Sequence, residues 1–585
     1  MSQTRAADRA SRRRTAAAPD ADGTFTHRQI VTILVGLMVA MFLAALDQTV
    51  VSTAIRTIAD DLQGYDLQAW ATTAFLITST IATPLYGKLS DIYGRRPFYL
   101  FAIGVFVIGS ILCGMADTMY QLAVYRAVQG VGAGGLMSLA LAIIGDIVPP
   151  RERSRYQGYF MAVFGSSSVL GPVVGGFFAG QDSLLGIDGW RWIFYVNVPL
   201  GALAFAAVWR VLHLPHERRE HRIDWPGAVT LIAFLVPLLV VAEQGRVWGW
   251  TSGQAVLCYV VGAVGFVLFV LSQRAYGDDA LLPLRLFRDR TFTVSAIGSV
   301  VMGAGMFGGL LLLPQYLQIV HGSSPTVAGL QMVPLVLGIM SGGIIAGNTI
   351  SRTGRYKVFP LIGVGLMVVA LVSLSMVVEA DTSVWTMAPF MVMLGLGLGF
   401  NFQPVILAVQ NAVSPKEMGV ATSSVTFFRQ MGGTIGTAAF LSLLFTRMPV
   451  EIEARIREAA ANSPEAAQQA LQLQQLGLEE VTSDTTRILG FPLLVDPFRE
   501  GFTASVDLVF LVAAGVVAVG FFVFLFLPQL ELSAKSGIQA RQGAAAGTTA
   551  DDPGDGGEQA IEAVGAVAPL SVAPPTGRPR DTGAR

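Results

Sequence analysis

Apolar residues gather along this chain in uninterrupted blocks of about 20 to 28, the length a helix needs to cross a hydrocarbon core of roughly 30 Å. Polar and apolar positions do not alternate within the blocks, so membrane strands are not expected. The pattern predicts an all-α membrane protein of fourteen transmembrane helices, at 29–55, 67–87, 97–116, 119–145, 156–180, 190–212, 225–244, 253–273, 291–320, 325–350, 357–379, 384–412, 418–447 and 502–528. Most turns between them are short. The exception is 448–501, where a helical run (Val450 to Ala461) meets Asn462-Ser463-Pro464 and continues Gln-rich to Leu478. An external hairpin that is solvated or caps the membrane is expected there. Residues 1–28 and 529–585 lack apolar blocks and read as disordered tails.

Composition agrees. Hydrophobic residues make up 53% and charged residues 14% of the 585, with a mean hydropathy of +0.57, where a soluble protein carries roughly a quarter charged residues. The net charge of -1 hides an uneven distribution. If the first tail is cytoplasmic, turns on its side of the membrane hold about eighteen Lys and Arg, and the short opposite turns about three. Such a bias places both termini in the cytoplasm. The first block is too long for a signal-peptide core and contains Asp47. Cys113 and Cys258 both lie in apolar spans and suggest no disulfide framework.

A charged hinge joins the second and third spans: Gly87-Lys88-Leu89-Ser90-Asp91-Ile92-Tyr93-Gly94-Arg95-Arg96-Pro97. Its glycines permit a sharp reversal. Asp91 can accept charge-assisted hydrogen bonds from Arg95 or Arg96, or face a helix N-terminus from elsewhere in the chain. Gly87, Gly94 and Arg95 recur as Gly347, Gly354 and Arg355, with Ser351 in place of Asp91. The offset implies two related halves in parallel orientation. The expected organisation is a six-helix bundle over 29–212, an inserted helix pair with linkers over 213–290, and a pseudo-symmetric six-helix bundle over 291–528.

Asp47 stands out within the membrane, where a carboxylate costs several kcal/mol and marks a functional site by default. Arg126 is set at a similar expected depth in span 4. Burial favours the neutral form of such an acid and a nearby cation its ionised form, so the pair reads either as a proton-coupling element or as a static buried ion pair. Other intramembrane polar residues, Gln315, Tyr316, Asn401, Gln403, Arg429 and Gln430, are candidates for a central substrate cavity. Gly171-Pro172 with Gly175 and Gly176 suits a kinked helix with a smooth packing face. Gly130-Val131-Gly132-Ala133-Gly134-Gly135 has the spacing of a dinucleotide-binding loop but follows no strand and lies in a span, so close packing explains it. The five histidines do not converge as metal or lipid-phosphate ligands. No phosphate-binding lysine loop is present, and no cofactor, metal or catalytic residue is expected.

Leu46-Asp47-Gln48-Thr49-Val50, the hinge, Arg126-Ala127-Val128-Gln129-Gly130, Gly171-Pro172-Val173-Val174-Gly175-Gly176 and Trp190-Arg191-Trp192-Ile193-Phe194-Tyr195-Val196-Asn197-Val198-Pro199 occur in order, each on its own span. In these stretches the chain resembles the fourteen-span drug:proton antiporter branch of the major facilitator superfamily, the EmrB/QacA type. The resemblance implies a monomeric, proton-driven exporter of lipophilic small molecules in a bacterial plasma membrane, without a nucleic-acid partner. It implies that Gly87, Asp91, Gly94, Arg95 and Arg96 latch the two halves in the outward-facing state. It implies that the Gly171–Gly176 pattern marks exporters and helps seal the leak path. Exporters of dicationic drugs in this branch carry extra carboxylates in later spans; here spans 10 and 13 have none and span 13 has Arg429, which points away from polycations. A dedicated exporter of one metabolite, antibiotic or lipid, a proton-linked importer and a polytopic membrane enzyme are the alternatives.

Overall fold

The computed structural model describes residues 25–64, 67–214, 222–476, 488 and 490–540. Each span expected from the sequence is largely helical, with interruptions at Val196 and Met332. In chain order the helices are α1 (His27–Asp61), α2 (Gln68–Tyr93), α3 (Arg95–Gly114), α4 (Met119–Ile147), α5 (Pro150–Ala179), the one-turn α6 (Trp192–Tyr195), α7 (Asn197–Val211), α8 (Trp225–Trp248) and α9 (Gly253–Tyr276). They continue with α10 (Arg290–Ile319), α11 (Pro325–Gln331), α12 (Val333–Thr353), α13 (Val358–Val377), α14 (Val384–Ala412), α15 (Met418–Asn462), α16 (Pro464–Leu476) and α17 (Val495–Leu525). A two-residue strand pair, Ser183–Leu184 with Ile187–Asp188, is a small departure from the all-α expectation.

Side chains in the turns start the helices. Thr26 and Gln29 form a reciprocal capping box on α1, and Thr118, Ser252, Asp289 and Ser324 accept from the first turns of α4, α9, α10 and α11. The hinge glycine Gly94 ends α2 at φ 99°, and its repeat partner Gly354 ends α12 at φ 70°. Both have a positive φ, which L side chains rarely take, but ψ is 153° at Gly94 and 0° at Gly354, so the two copies turn differently.

Among the described residues twelve helical segments are long and apolar enough to cross a membrane, where fourteen were expected. α2 and α10 are not among them. α2 is weakened by six Thr and Ser residues between 68 and 86. The helices pack in two sets. In one, α2 and α3 lie on α4, while α1 lies on α5 and α7; in the other, α12 and α13 lie on α14, while α10 and α17 lie on α15. The sets meet where α5 crosses α12 and α2 crosses α15. α8 and α9 pair with each other, and α8 touches both sets, on α2 and α15. Asp224 fastens this pair: it accepts from Gly227 N (2.7 Å), Ser272 Oγ (2.8 Å) and Gln273 Nε2 (2.9 Å).

Two segments differ from expectation. Span 13 does not stop at 447: α15 runs unbroken through Pro449 to Asn462, 45 residues in all, and beyond Ser463 α16 turns back along it. The extension of α15 is held by packing: Ile452 and Ile456 are buried, α16 lies alongside, and Gly501 of α17 brings its backbone against Ile452. The supposed disordered tail from 529 is ordered through residue 540. Tyr356 Oη donates to Pro528 O (2.8 Å), Asn411 Nδ2 to Glu531 O (3.0 Å), and Ser533 N to Asn411 Oδ1 (2.9 Å). Gly537 then rests against Asp146 at the end of α4, and Ile538 is buried. The tails at 1–24 and 541–585 lie outside the described residues.

Candidate functional site

Asp47 sits two-thirds of the way along α1, where neighbouring apolar residues direct the helix inward rather than toward lipid. Its carboxylate and the Arg126 side chain are each 1% exposed. Arg126 Nη1 donates to Asp47 Oδ2 at 2.5 Å and to Gln129 Oε1 at 2.7 Å. The other carboxylate oxygen accepts from Gln129 Nε2 (2.8 Å) and from Asn197 Nδ2 (2.7 Å), at the start of α7. Ser110 of α3 accepts from Gln129 at 2.6 Å. Arg126 also donates through Nε to Ala71 O of α2 (3.0 Å) and lies over the Phe75 ring at 4.1 Å. One carboxylate therefore joins α1, α4 and α7 directly, and α2 and α3 through its partners. Arg126 and Gln129 share one face of α4 by their i, i+3 spacing. Both Gln129 and Asn197 lie inside stretches quoted above, yet the sequence reading gave them no part in the site.

The small residues expected on α5 abut this cluster. A side chain at Gly171 would overlap Thr49, two residues beyond Asp47, and one at Gly175 would press on Val50 O at 2.8 Å. Thr49 Oγ1 donates to Ser167 O of α5 at 3.1 Å. On the other side Pro172 packs on Gly329 and Gly176 on Thr326, both in α11. Gly171→Val should lower stability by about 1–3 kcal/mol through overpacking, read as a fall in the thermal unfolding midpoint in detergent. An unchanged midpoint would show that α1 and α5 do not need this contact.

The hinge brings the two helix sets together. Asp91 Oδ1 pairs with Arg95 Nη2 at 2.6 Å, and Asp91 Oδ2 accepts from Val420 N at 2.9 Å. Val420 belongs to the first turn of α15, where backbone N–H groups are free and the dipole favours an anion. Arg95 also binds Asp146 at 2.8 Å and Ser90 Oγ at 2.6 Å. Gly87 lies where α2 touches Ser423 and Gly419 of α15. Arg96 is not part of this contact: it stacks on Trp209 of α7 and donates to Trp209 O at 2.6 Å. A second bridge, missed in the sequence, runs from Arg153 to Gln410, and Gln410 Nε2 donates to Leu141 O at 3.0 Å. Arg153 had read as a loop charge but is buried. Among the described residues Ser351, the repeat counterpart of Asp91, bonds within its own helix, to Asn348 O.

The six cavity candidates separate. Arg429 and Asn401 line one narrow pocket with Ser299, Met302, Met306, Leu398, Phe402 and Val405. Gln430 Oε1 accepts from Thr83 of α2 at 3.1 Å, a bond between the sets. Gln403 is buried on α14 with Nε2 unpartnered. Tyr316 lies about 15 Å along α10 from Met306 and donates to Glu379 O at 2.5 Å, so it is outside the pocket, and so is Gln315 beside it.

Long apolar helices, an ion pair enclosed among them and polar bridges between two packed sets define a multi-pass membrane transporter. The chain belongs to the Major Facilitator Superfamily, whose family model matches residues 37–437. Multidrug resistance protein 3 of Bacillus subtilis is 36% identical over 420 residues, 71% of this chain and 80% of the relative. Multidrug transporter protein MdtP of the same organism is 36% identical over 406 residues, 69% of this chain and 73% of the relative. The solved proton:xylose symporter XylE superposes with a TM-score of 0.55 at 16% identity, covering 88% of this chain and 99% of that one. That likeness is one of fold.

Proposed function

We propose that this transporter is a proton-coupled antiporter of the fourteen-span branch, exporting lipophilic small molecules by alternating access from a bacterial plasma membrane. In this reading α2 and α10 complete the fourteen crossings, since at 26 and 30 residues both exceed the roughly 20 residues a crossing requires. The two packed sets are the six-helix bundles that rock about the central pocket, with α8 and α9 as the inserted pair. The hinge end and both termini face the cytoplasm, in keeping with the Lys and Arg bias of the turns.

The observation that carries the reading is the single carboxylate of Asp47 holding donors from α4 and α7. A proton arriving there from outside removes the charge that binds them. α1 is then free to move against its neighbours, and the substrate is released outward. Return of the proton to the cytoplasm restores the cluster. The Asp91 bridge to α15 holds the cytoplasmic end shut in the outward-facing state, and relatives that bear multidrug names support the choice of substrate class.

The test uses everted membrane vesicles carrying a preformed pH gradient, with a panel of lipophilic compounds. Substrates should partly collapse the gradient, and a protonophore should abolish the growth protection the protein confers. Protection that persists with the protonophore, or a gradient no compound disturbs, would refute proton-driven export.

A further inference from the structure

Arg429 is a cation set near the middle of the bilayer, about 16 Å into α15 from Met418. Its guanidinium lies 3.9 Å over the Phe402 ring. Among the described residues its side chain has no hydrogen-bond or ion-pair partner. The acids on the helices packed around it stand well away. Asp91 is held by Val420 N, about 14 Å down α15. Asp146 is engaged by Arg95 near that same end. Gly303 packs on the Arg429 backbone and Gly305 on Val517, which puts Asp507 about 15 Å away along α17. α10 and α14 carry no acid inside their membrane stretches. An intramembrane cation without a counter-ion is costly, and the ring beneath it offsets only part of that cost.

The pocket is nearly closed in this structure, with about 20 Å³ of space, room for roughly one water. A larger guest enters only when the helix sets part, and the lining suits one. Met302, Met306, Leu398 and Val405 give an apolar wall, and Asn401, 4% exposed, has Oδ1 unpartnered. Phe402 meets Phe164 of α5 at 5.7 Å between ring centres, so the pocket borders the contact between the two helix sets, where alternating access would expose it to either side.

We propose that this pocket takes lipophilic organic anions: a carboxylate or similar group pairs with Arg429, and an apolar body lies against the methionines and Phe402. The inference rests on the exporter reading, and it deepens that reading by assigning the charge of the cargo. A cationic drug would have to bring its charge toward an uncompensated guanidinium, whereas an anion supplies the missing partner in a low-dielectric setting.

Binding to purified protein in detergent tests this without requiring transport. Three probes of one shape are compared by calorimetry: 2-naphthoate, neutral 2-naphthamide and cationic 2-naphthylmethylammonium. Wild type should bind the naphthoate at least tenfold more tightly than either of the others. Arg429→Gln should erase that preference while moving naphthamide binding less than twofold, and Arg429→Lys should retain part of it. Partition into detergent is common to all the proteins and cancels between them. Equal or tighter binding of the cation, naphthoate affinity unchanged by Arg429→Gln, or no binding of any probe at millimolar concentration would overturn the assignment. If the Gln variant fails to fold, the comparison of wild type with Arg429→Lys decides: naphthoate affinity unchanged by that substitution would overturn the assignment. An anion preference in a protein that shows no proton-driven transport would leave this site standing and refute the coupling.

Discussion

Asp47→Asn should insert and fold yet lose the ability to accumulate substrate across the membrane. One charge crossing 100 mV contributes about 2.3 kcal/mol and one pH unit about 1.4 kcal/mol, so losing a single coupled proton should lower the attainable ratio by roughly 500-fold. The substitution keeps the size of the side chain, removes its charge and turns one of the two acceptor oxygens into an NH2 donor, so either Arg126 or the pair Gln129 and Asn197 loses its acceptor. It also leaves Arg126 buried without its anionic partner, a change that costs about 3–5 kcal/mol of stability. Coupling and stability can be told apart with the double variant Asp47→Asn/Arg126→Gln. Neutralising both members should restore the unfolding midpoint but not gradient-driven transport in vesicles. Recovery of transport by the double variant would mean that the pair only holds helices together.

The second large effect is expected at the hinge. A methyl group on Gly87 would overlap Ser423 Oγ and lie 2.6 Å from Ser423 Cβ and 2.9 Å from Gly419 O. The hydroxyl can rotate away, whereas the other two atoms belong to the frame of α15. Gly87→Ala should therefore push α2 off α15 one turn from the Asp91 bridge to Val420 N, and transport should fall by roughly tenfold or more, the equivalent of one lost charge-assisted hydrogen bond. Spin labels at Tyr93 and Lys416, with Cys113 and Cys258 replaced, should report a longer distance than in the parent. Ser423→Gly in the same chain should recover much of both, because it vacates the space the methyl needs. Distances that stay at the parent values would remove the hinge from the gating scheme.

Charge made part of this site legible and neutrality concealed the rest. Asp47 and Arg126 stand out in apolar spans because ionised groups are rare there, and the structure joins them. Asp91 could be matched with a helix N-terminus from its chemistry alone. Gln129, Ser110 and Asn197 cost too little inside a membrane to draw notice, and only the third dimension shows that they converge. Arg153 looked like one more basic turn residue, since its partner Gln410 lies 257 positions away. Helix starts at Thr118, Ser252 and Ser324 followed local rules. The end of α15 did not: span 13 was expected to stop at 447, but packing by α16 and Gly501 carries the helix on to Asn462. Arg96 and Tyr316 were grouped by type with residues that point elsewhere.

The stretch after α17 has a consequence for how the two helix sets can separate. Residues 529–540 leave one set, run past Tyr356 and Asn411, and finish against Asp146 in the other. Twelve residues can extend to about 40 Å, so the covalent leash is far too slack to restrain rocking. Any restraint must come from the seat of Ile538, whose burial is worth about 1.5–3 kcal/mol. The segment is therefore a stopper rather than a tether, and a fusion partner spliced at residue 529 would uncork the protein while one joined after 540 would leave it sealed.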